Sequence, residues 1–167
     1  MKNKLKGVDL LINKSIYNIE GIREFNELLG VIPVQYESFL LNYKTNNPSF
    51  IHTEDDTEFE IKVFSEKFNK SLFLDYFYSL PQVVGRINIY DRAYTFSGNH
   101  RKFRILPFCT SGSSYLEYFI SQPSGAIYAI NPNHDLDEEF TNEEFEEKFM
   151  IFRNFEDFIN NLIVEVL

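Results

Sequence analysis

Carboxylates are the side chains with which this chain could do the most chemistry. Glu54, Asp55, Asp56, Glu58 and Glu60 fall within one short stretch, and a second group follows at Asp135, Asp137, Glu138 and Glu139, with Glu143, Glu144, Glu146 and Glu147 behind it. On a loop leading into a strand, the first group could mimic phosphates before a nuclease's basic cleft. Either group could meet a positively charged partner protein. The competing readings are a solvated turn and strand face for the first group and simple solubility for the second. A calcium site fits poorly, because Asp135 to Glu139 crowds oxygen ligands together without the central glycine and spaced ligands of an EF-hand.

The other reactive side chains form no constellation. His52, His100, His134 and Cys109 lack the spacing of roughly two to four residues that zinc-ligand pairs show. Cys109 follows Leu106-Pro107-Phe108, which suggests a small residue on a buried strand; an activated thiol would need a neighbouring base. Ser111, Ser113 and Ser114 surround Gly112 as a turn would, and the sequence has no nucleophile elbow, Walker-type loop or dinucleotide-binding glycine loop. The expectation is a protein that binds rather than catalyses, with no catalytic residues, metal or cofactor. A small hydrolase or metal-dependent enzyme is the rival that only the abundance of carboxylates motivates.

Charge narrows the partner. With 25 acidic residues against 16 basic ones and a formal net charge of −9, the average field repels a phosphate backbone and attracts a basic protein. The lone cysteine excludes an internal disulfide framework and agrees with the cytoplasm. The longest apolar runs, such as Ala126 to Ile130 and Leu162 to Val164, fall far short of the roughly 20 residues that cross a bilayer. Lys2, Lys4 and Lys6 precede an apolar stretch that Asp9 interrupts and no small-residue cleavage site follows, so a signal peptide is not expected.

At 167 residues, with 44% hydrophobic and 17% aromatic residues, the chain suits one self-folding domain. Asn18 suits an N-cap for a helix carrying Ile22, Phe25 and Leu29, with Gly30 as its stop. Pro33 opens a second helix with Tyr36, Phe39, Leu40 and Tyr43 on one face, ending near Thr45-Asn46-Asn47-Pro48. Phe59, Ile61 and Val63 alternate with Glu58, Glu60 and Lys62 as a strand with one wet face. Leu72 to Leu80 fits helix or strand and is read here as strand, and Asn88 as the cap of a short helix carrying Ile89, Ala93 and Phe96.

Phe103 to Cys109, Tyr115 to Ile120 and Ala126 to Ile130 read as three strands joined in antiparallel hairpins by Ser111-Gly112-Ser113 and Gln122-Pro123-Ser124-Gly125. Asp135 to Glu147 reads as a surface excursion before a last strand at Lys148 to Phe152. Asn154 then caps a final helix with Phe155, Phe158, Ile159, Leu162, Ile163 and Val166 on its apolar face. The sum is an α+β domain, a mostly antiparallel sheet flanked by helices. Tyr76, Phe77, Tyr78, Tyr90 and Tyr94 could line an exposed anchor patch, although a domain of this size needs most of its aromatics inside.

Several stretches resemble a known superfamily. Ile22-Arg23-Glu24-Phe25, Leu28-Leu29-Gly30 and Ile32-Pro33-Val34-Gln35-Tyr36-Glu37-Ser38-Phe39-Leu40 are similar to the N-terminal helix pair of the SUKH superfamily, which includes Smi/Knr-type regulators and many bacterial immunity proteins. Ile105-Leu106-Pro107-Phe108 with Gly112 resembles its strand and glycine turn, Gly125-Ala126-Ile127-Tyr128 a later strand, and Asn154-Phe155-Glu156-Asp157-Phe158-Ile159 its closing helix. The resemblance spans about residues 19 to 162, and the order of the motifs is more specific than any one of them. Thr45-Asn46-Asn47-Pro48 replaces the Asn-Gly-Gly turn of many members, and Ser113 an acidic or amide residue. The resemblance implies a SUKH-like single domain without known catalysis that binds a partner protein, commonly a nuclease or other polymorphic toxin. The eukaryotic relatives imply an alternative, a regulatory scaffold binding a cellular protein.

Overall fold

The computed structural model describes residues 17–42, 59–94, 105–112, 115–122, 124–133, 135 and 140–166. The first elements among the described residues are α1 (Ile19–Arg23) and α2 (Asn26–Leu29), then α3 (Val34–Asn42). Asn18 caps α1 as its side chain requires, accepting the Gly21 amide at 2.7 Å. Gly30 ends α2 with φ at +76°, the left-handed region in which glycine carries no steric penalty. The expected single helix is thus two short ones, hinged at Glu24 and Phe25, with Ile22 and Leu29 buried.

Among the described residues, eight strands form two antiparallel sheets, where the sequence suggested one. The three-stranded sheet has the order β2-β1-β8, built from β1 (Phe59–Ser65), β2 (Lys70–Phe73) and β8 (Leu162–Val166). The five-stranded sheet runs β3-β4-β5-β6-β7, from β3 (Tyr76–Phe77), β4 (Ile105–Ser111), β5 (Leu116–Ser121), β6 (Ile127–Ile130) and β7 (Met150–Phe152). The hairpins joining β4 to β5 and β5 to β6 are those expected from their turn residues.

Two expected elements change identity. The final helix α6 (Phe155–Asn160) is capped by Asn154, which accepts the Asp157 amide at 2.8 Å, but it stops at Asn161. Leu162, Ile163 and Val166 then belong to β8, where Ile61 faces Val164 and Val63 faces Leu162. The β-branched run prefers a pleated surface, and an open edge of β1 supplies it. Likewise Lys148 is not in a strand. Helix α5 (Asn142–Phe149) takes up the later part of the acidic stretch read as a surface excursion, and only Met150 to Phe152 are extended.

The segment read as one strand from Leu72 to Leu80 divides into the end of β2, the short β3 and the start of α4 (Leu80–Tyr94). Asn88 therefore lies inside a 15-residue helix and caps nothing. The true start is at Ser79, whose amide is accepted by Gln82 Oε1 at 2.8 Å, the return half of a capping box.

Both faces of the five-stranded sheet are covered. Leu106, Phe108, Tyr118, Ile120, Ile127 and Ala129 join a core shared with α1, α3, α4, α6 and the inner residues Val63 and Leu72 of the smaller sheet. On the other face, Phe119, Tyr128 and Ile130 meet Phe145 and Phe149 of α5. Pro107 has no amide to give the ladder, and the register slips between Pro107 and Cys109. That bulge turns consecutive residues, Phe108 and Cys109, into the same core.

Phe108 lies at the centre of an aromatic nucleus. Its ring centroid is 5.8 Å from Tyr36 and 5.5 Å from both Phe155 and Phe158, while Tyr36 and Phe155 stand 5.4 Å apart. Ring pairs at such separations add about 0.5–1.5 kcal/mol each beyond their burial. Among the described residues the Tyr36 hydroxyl has no hydrogen-bond partner, and burial drives its pKa far up. Phe108→Ala should destabilise the fold by about 3–5 kcal/mol. Tyr36→Phe, which removes an unsatisfied polar atom and keeps the ring, should leave stability unchanged or raise it by up to about 1 kcal/mol. Urea unfolding of the two variants checks both; a large loss in Tyr36→Phe would mean the hydroxyl is satisfied.

Candidate functional site

Of the carboxylates singled out in the sequence, Glu60, Asp135, Glu143, Glu144, Glu146 and Glu147 lie among the described residues. Glu54, Asp55, Asp56, Glu58, Asp137, Glu138 and Glu139 lie outside them, as do His52, His100 and His134. Glu60 is half-buried on the outward face of β1, directly opposite Glu165 of β8. Lys62 reaches diagonally across the same face to ion-pair with Glu165. This corner of the sheet gathers two carboxylates around one ammonium and so stays net negative.

Asp135 works within its own loop. Its Oδ2 accepts the Asn131 amide at 2.8 Å and its own amide donates to the Asn131 carbonyl at 2.8 Å, closing the turn after β6. Behind it, Thr141 and Glu144 form a complete capping box that starts α5. The two hydrogen bonds from Thr141 hold the Glu144 carboxyl below its usual pKa. Glu143, Glu146 and Glu147 point to solvent from the same helix, while Phe145 and Phe149 face inward. The second acidic group therefore includes an ordered, negatively charged helix face.

The aromatics considered as an anchor patch are mostly interior. Tyr78 is buried, Tyr76 and Phe77 are half-buried, and the side chains of Tyr90 and Tyr94 lie outside the described ones. Tyr76 and Tyr78 instead belong to a polar cluster that leaves no local sign in the sequence. Arg86 of α4 grips Glu117 of β5 through two parallel hydrogen bonds, Nε to Oε1 at 3.1 Å and Nη2 to Oε2 at 3.2 Å. Arg86 Nε also reaches the Tyr78 hydroxyl at 3.2 Å, and Gln82 Nε2 donates to the Tyr76 hydroxyl at 2.7 Å.

Burial is unequal across this ion pair, since the Glu117 side chain is 1% exposed and that of Arg86 is 38% exposed. Burial raises the Glu117 pKa above its ordinary value, with Arg86 pulling the other way. Burial also opposes the charge on Arg86, but Glu117 and Tyr78 more than offset it, and the pKa of the guanidinium rises. Tyr78 is pushed up to about 12 by burial and then by Glu117, so its phenol stays protonated at neutral pH. The carboxylate, guanidinium and phenol hold one another, and the cluster ties α4 to β5, the central strand of the five-stranded sheet.

Cys109 is a free, fully buried thiol on β4, and burial raises its pKa well above the ordinary value, which suits a core position rather than a nucleophile. Among the described residues, no group of three or more His, Cys, Asp or Glu is placed to hold a metal ion. None of their helices is long and apolar enough to cross a membrane. Compared with known proteins, the chain matches no family model and no curated protein.

A raised carboxyl pKa in the folded state contributes stability that is present below the unfolded pKa and is lost as pH rises through the folded one. In Arg86→Met the guanidinium counter-charge is gone, so Glu117 should protonate at still higher pH to avoid an unpaired buried charge. The variant should lose little stability near pH 4.5 and about 2–4 kcal/mol at pH 7, less than for a fully buried pair because the guanidinium is partly solvated. Chemical denaturation across that pH range checks it; a loss independent of pH would mean that Arg86 acts through packing.

Proposed function

We propose that this protein is a non-catalytic, SUKH-like binding domain of the immunity type, which neutralises a cognate polymorphic toxin, of the nuclease kind, by protein contact in the cytoplasm. One observation carries the reading. Three of the stretches that carry the resemblance supply Tyr36, Phe108 and Phe155, and those rings pack on one another within 5.8 Å. Motifs whose key rings converge on one nucleus behave as parts of one fold rather than as separate coincidences of composition.

The chemistry of the surface supports the same reading. A net charge of −9 favours a basic partner, and Glu60 and the outward carboxylates of α5 are ordered on regular elements. Charge of this kind acts mainly on encounter, raising association rates and weakening as salt rises.

The test is co-expression with a polymorphic toxin encoded beside the gene, followed by co-purification. Rescue of growth and a stable complex are the expected results. Replacing Glu54, Asp55 and Asp56 together with lysine should slow association about tenfold at low salt, with a smaller effect on dissociation. Failure to rescue cells from a toxin verified as active would shift the reading to a regulatory scaffold that binds a cellular protein.

A further inference from the structure

We infer that the elbow between α2 and α3, residues 28–34, is the anchor that seats this protein on its partner, and that the partner offers there an apolar pocket ringed by lysine or arginine. The inference rests on the proposed protein-binding function and assigns it a surface that the acidic runs do not include. Leu28, Val31 and Val34 are 59%, 78% and 75% exposed, whereas Leu29 and Ile32 between them are buried. Singly exposed aliphatic residues are ordinary. Three within one short elbow form a concentration of the kind found at interaction sites.

The elbow is held in shape before any partner arrives. The Gln122 side-chain amide, reaching from the β5–β6 connection, donates to the carbonyls of Leu29 and Val31. Gly30 between them has φ at +76°, and a Cβ there would come within 2.8 Å of Gln122 Nε2. Buried Ile32 and Pro33 fix the other side. An anchor already in its bound shape escapes the ordering cost that weakens flexible loops.

The flanking charges specify the partner. Glu20, Glu24 and Glu27 are exposed and Glu37 is half-buried, while Arg23 is the one basic residue between positions 19 and 37. Glu27 adjoins Leu28, and Glu37 lies one helical turn beyond Val34, so carboxylates border the apolar residues on both sides. An apolar centre with a charged, solvated border is the usual anatomy of a binding hot spot. A second copy would bring the same carboxylates and another net charge of −9, whereas a basic border complements them.

The test uses the full-length protein and the toxin of the co-expression experiment. Val31→Asp with Val34→Asp should weaken the measured Kd at least about a hundredfold and abolish rescue, with the thermal midpoint unchanged. Val31→Ser, which adds no charge, should weaken it about tenfold, and Glu27→Lys should act chiefly on the association rate. Tyr115→Asn, which removes a comparably exposed apolar side chain elsewhere, should leave Kd unchanged. If the wild type binds and these elbow variants bind equally well, the elbow is not the anchor, although the immunity reading stands. If the wild type neither rescues nor binds an active toxin, that reading fails and takes the inference with it. A wild-type dimer that Val31→Asp dissociates would make a second copy the occupant and overturn the inference.

Discussion

The meeting of Tyr36, Phe108 and Phe155 is the contact on which the rest of the structure depends. The three rings come from α3, β4 and α6, segments far apart in the chain, and none can be buried without the other two. Bringing them together closes long loops, whose entropic cost grows slowly with length and is offset by a large aromatic area buried at once. The bulge at Pro107 is part of this arrangement. In a regular strand Phe108 and Cys109 would point to opposite faces, and the extra residue lets both join the same core.

Covering both faces of the five-stranded sheet changes what its sequence can look like. β4, β5 and β6 are buried almost throughout, so their residues are apolar in runs rather than in alternation. Glu117 is the exception, the one charged side chain fully buried among the described residues. Its pair with Arg86 as a whole could have been replaced by a well-packed hydrophobic contact at little cost in stability, since desolvation consumes most of the attraction of a buried pair, whereas removing one member alone strands a buried charge. A bidentate fork, however, accepts only one register of α4 against β5. The pair therefore contributes more to the uniqueness of this packing than to its strength.

What was legible in the sequence follows the range of the interactions involved. Caps and breaks are local, and Asn18, Gly30, Pro33 and Asn154 mark real boundaries. The hairpins around Gly112 and Gly125 are equally local. Helix α5 was obscured because its apolar face is only Phe145 and Phe149 amid glutamates, although Thr141 and Glu144 carry a capping-box signature. Ser79 and Gln82 carry a similar one at the start of α4. Strand β8 has no such sign. Phe155 to Val166 is periodic enough for one helix, and only the edge of β1, a hundred residues away, makes its last part a strand. Arg86 and Glu117 were illegible for the same reason, as nothing in either neighbourhood names the other.

The candidate surface divides in the same way between what composition reveals and what packing alone reveals. Net charge and acidic runs can be read directly, and they act over a Debye length of about 8 Å at physiological ionic strength. That range is long enough to orient an approaching basic protein but too diffuse to fix a register. Register needs shape at short range. The elbow of Leu28, Val31 and Val34 acquires its shape from Gln122, which belongs to a turn between two distant strands. Under the proposed function the two scales are complementary. The exposed aliphatic residues lie outside the aromatic nucleus, so their identity can change with the partner while the clamp and the core beneath them stay as they are. A fold arranged in this way separates the residues that must agree with one another from those that must agree with something else.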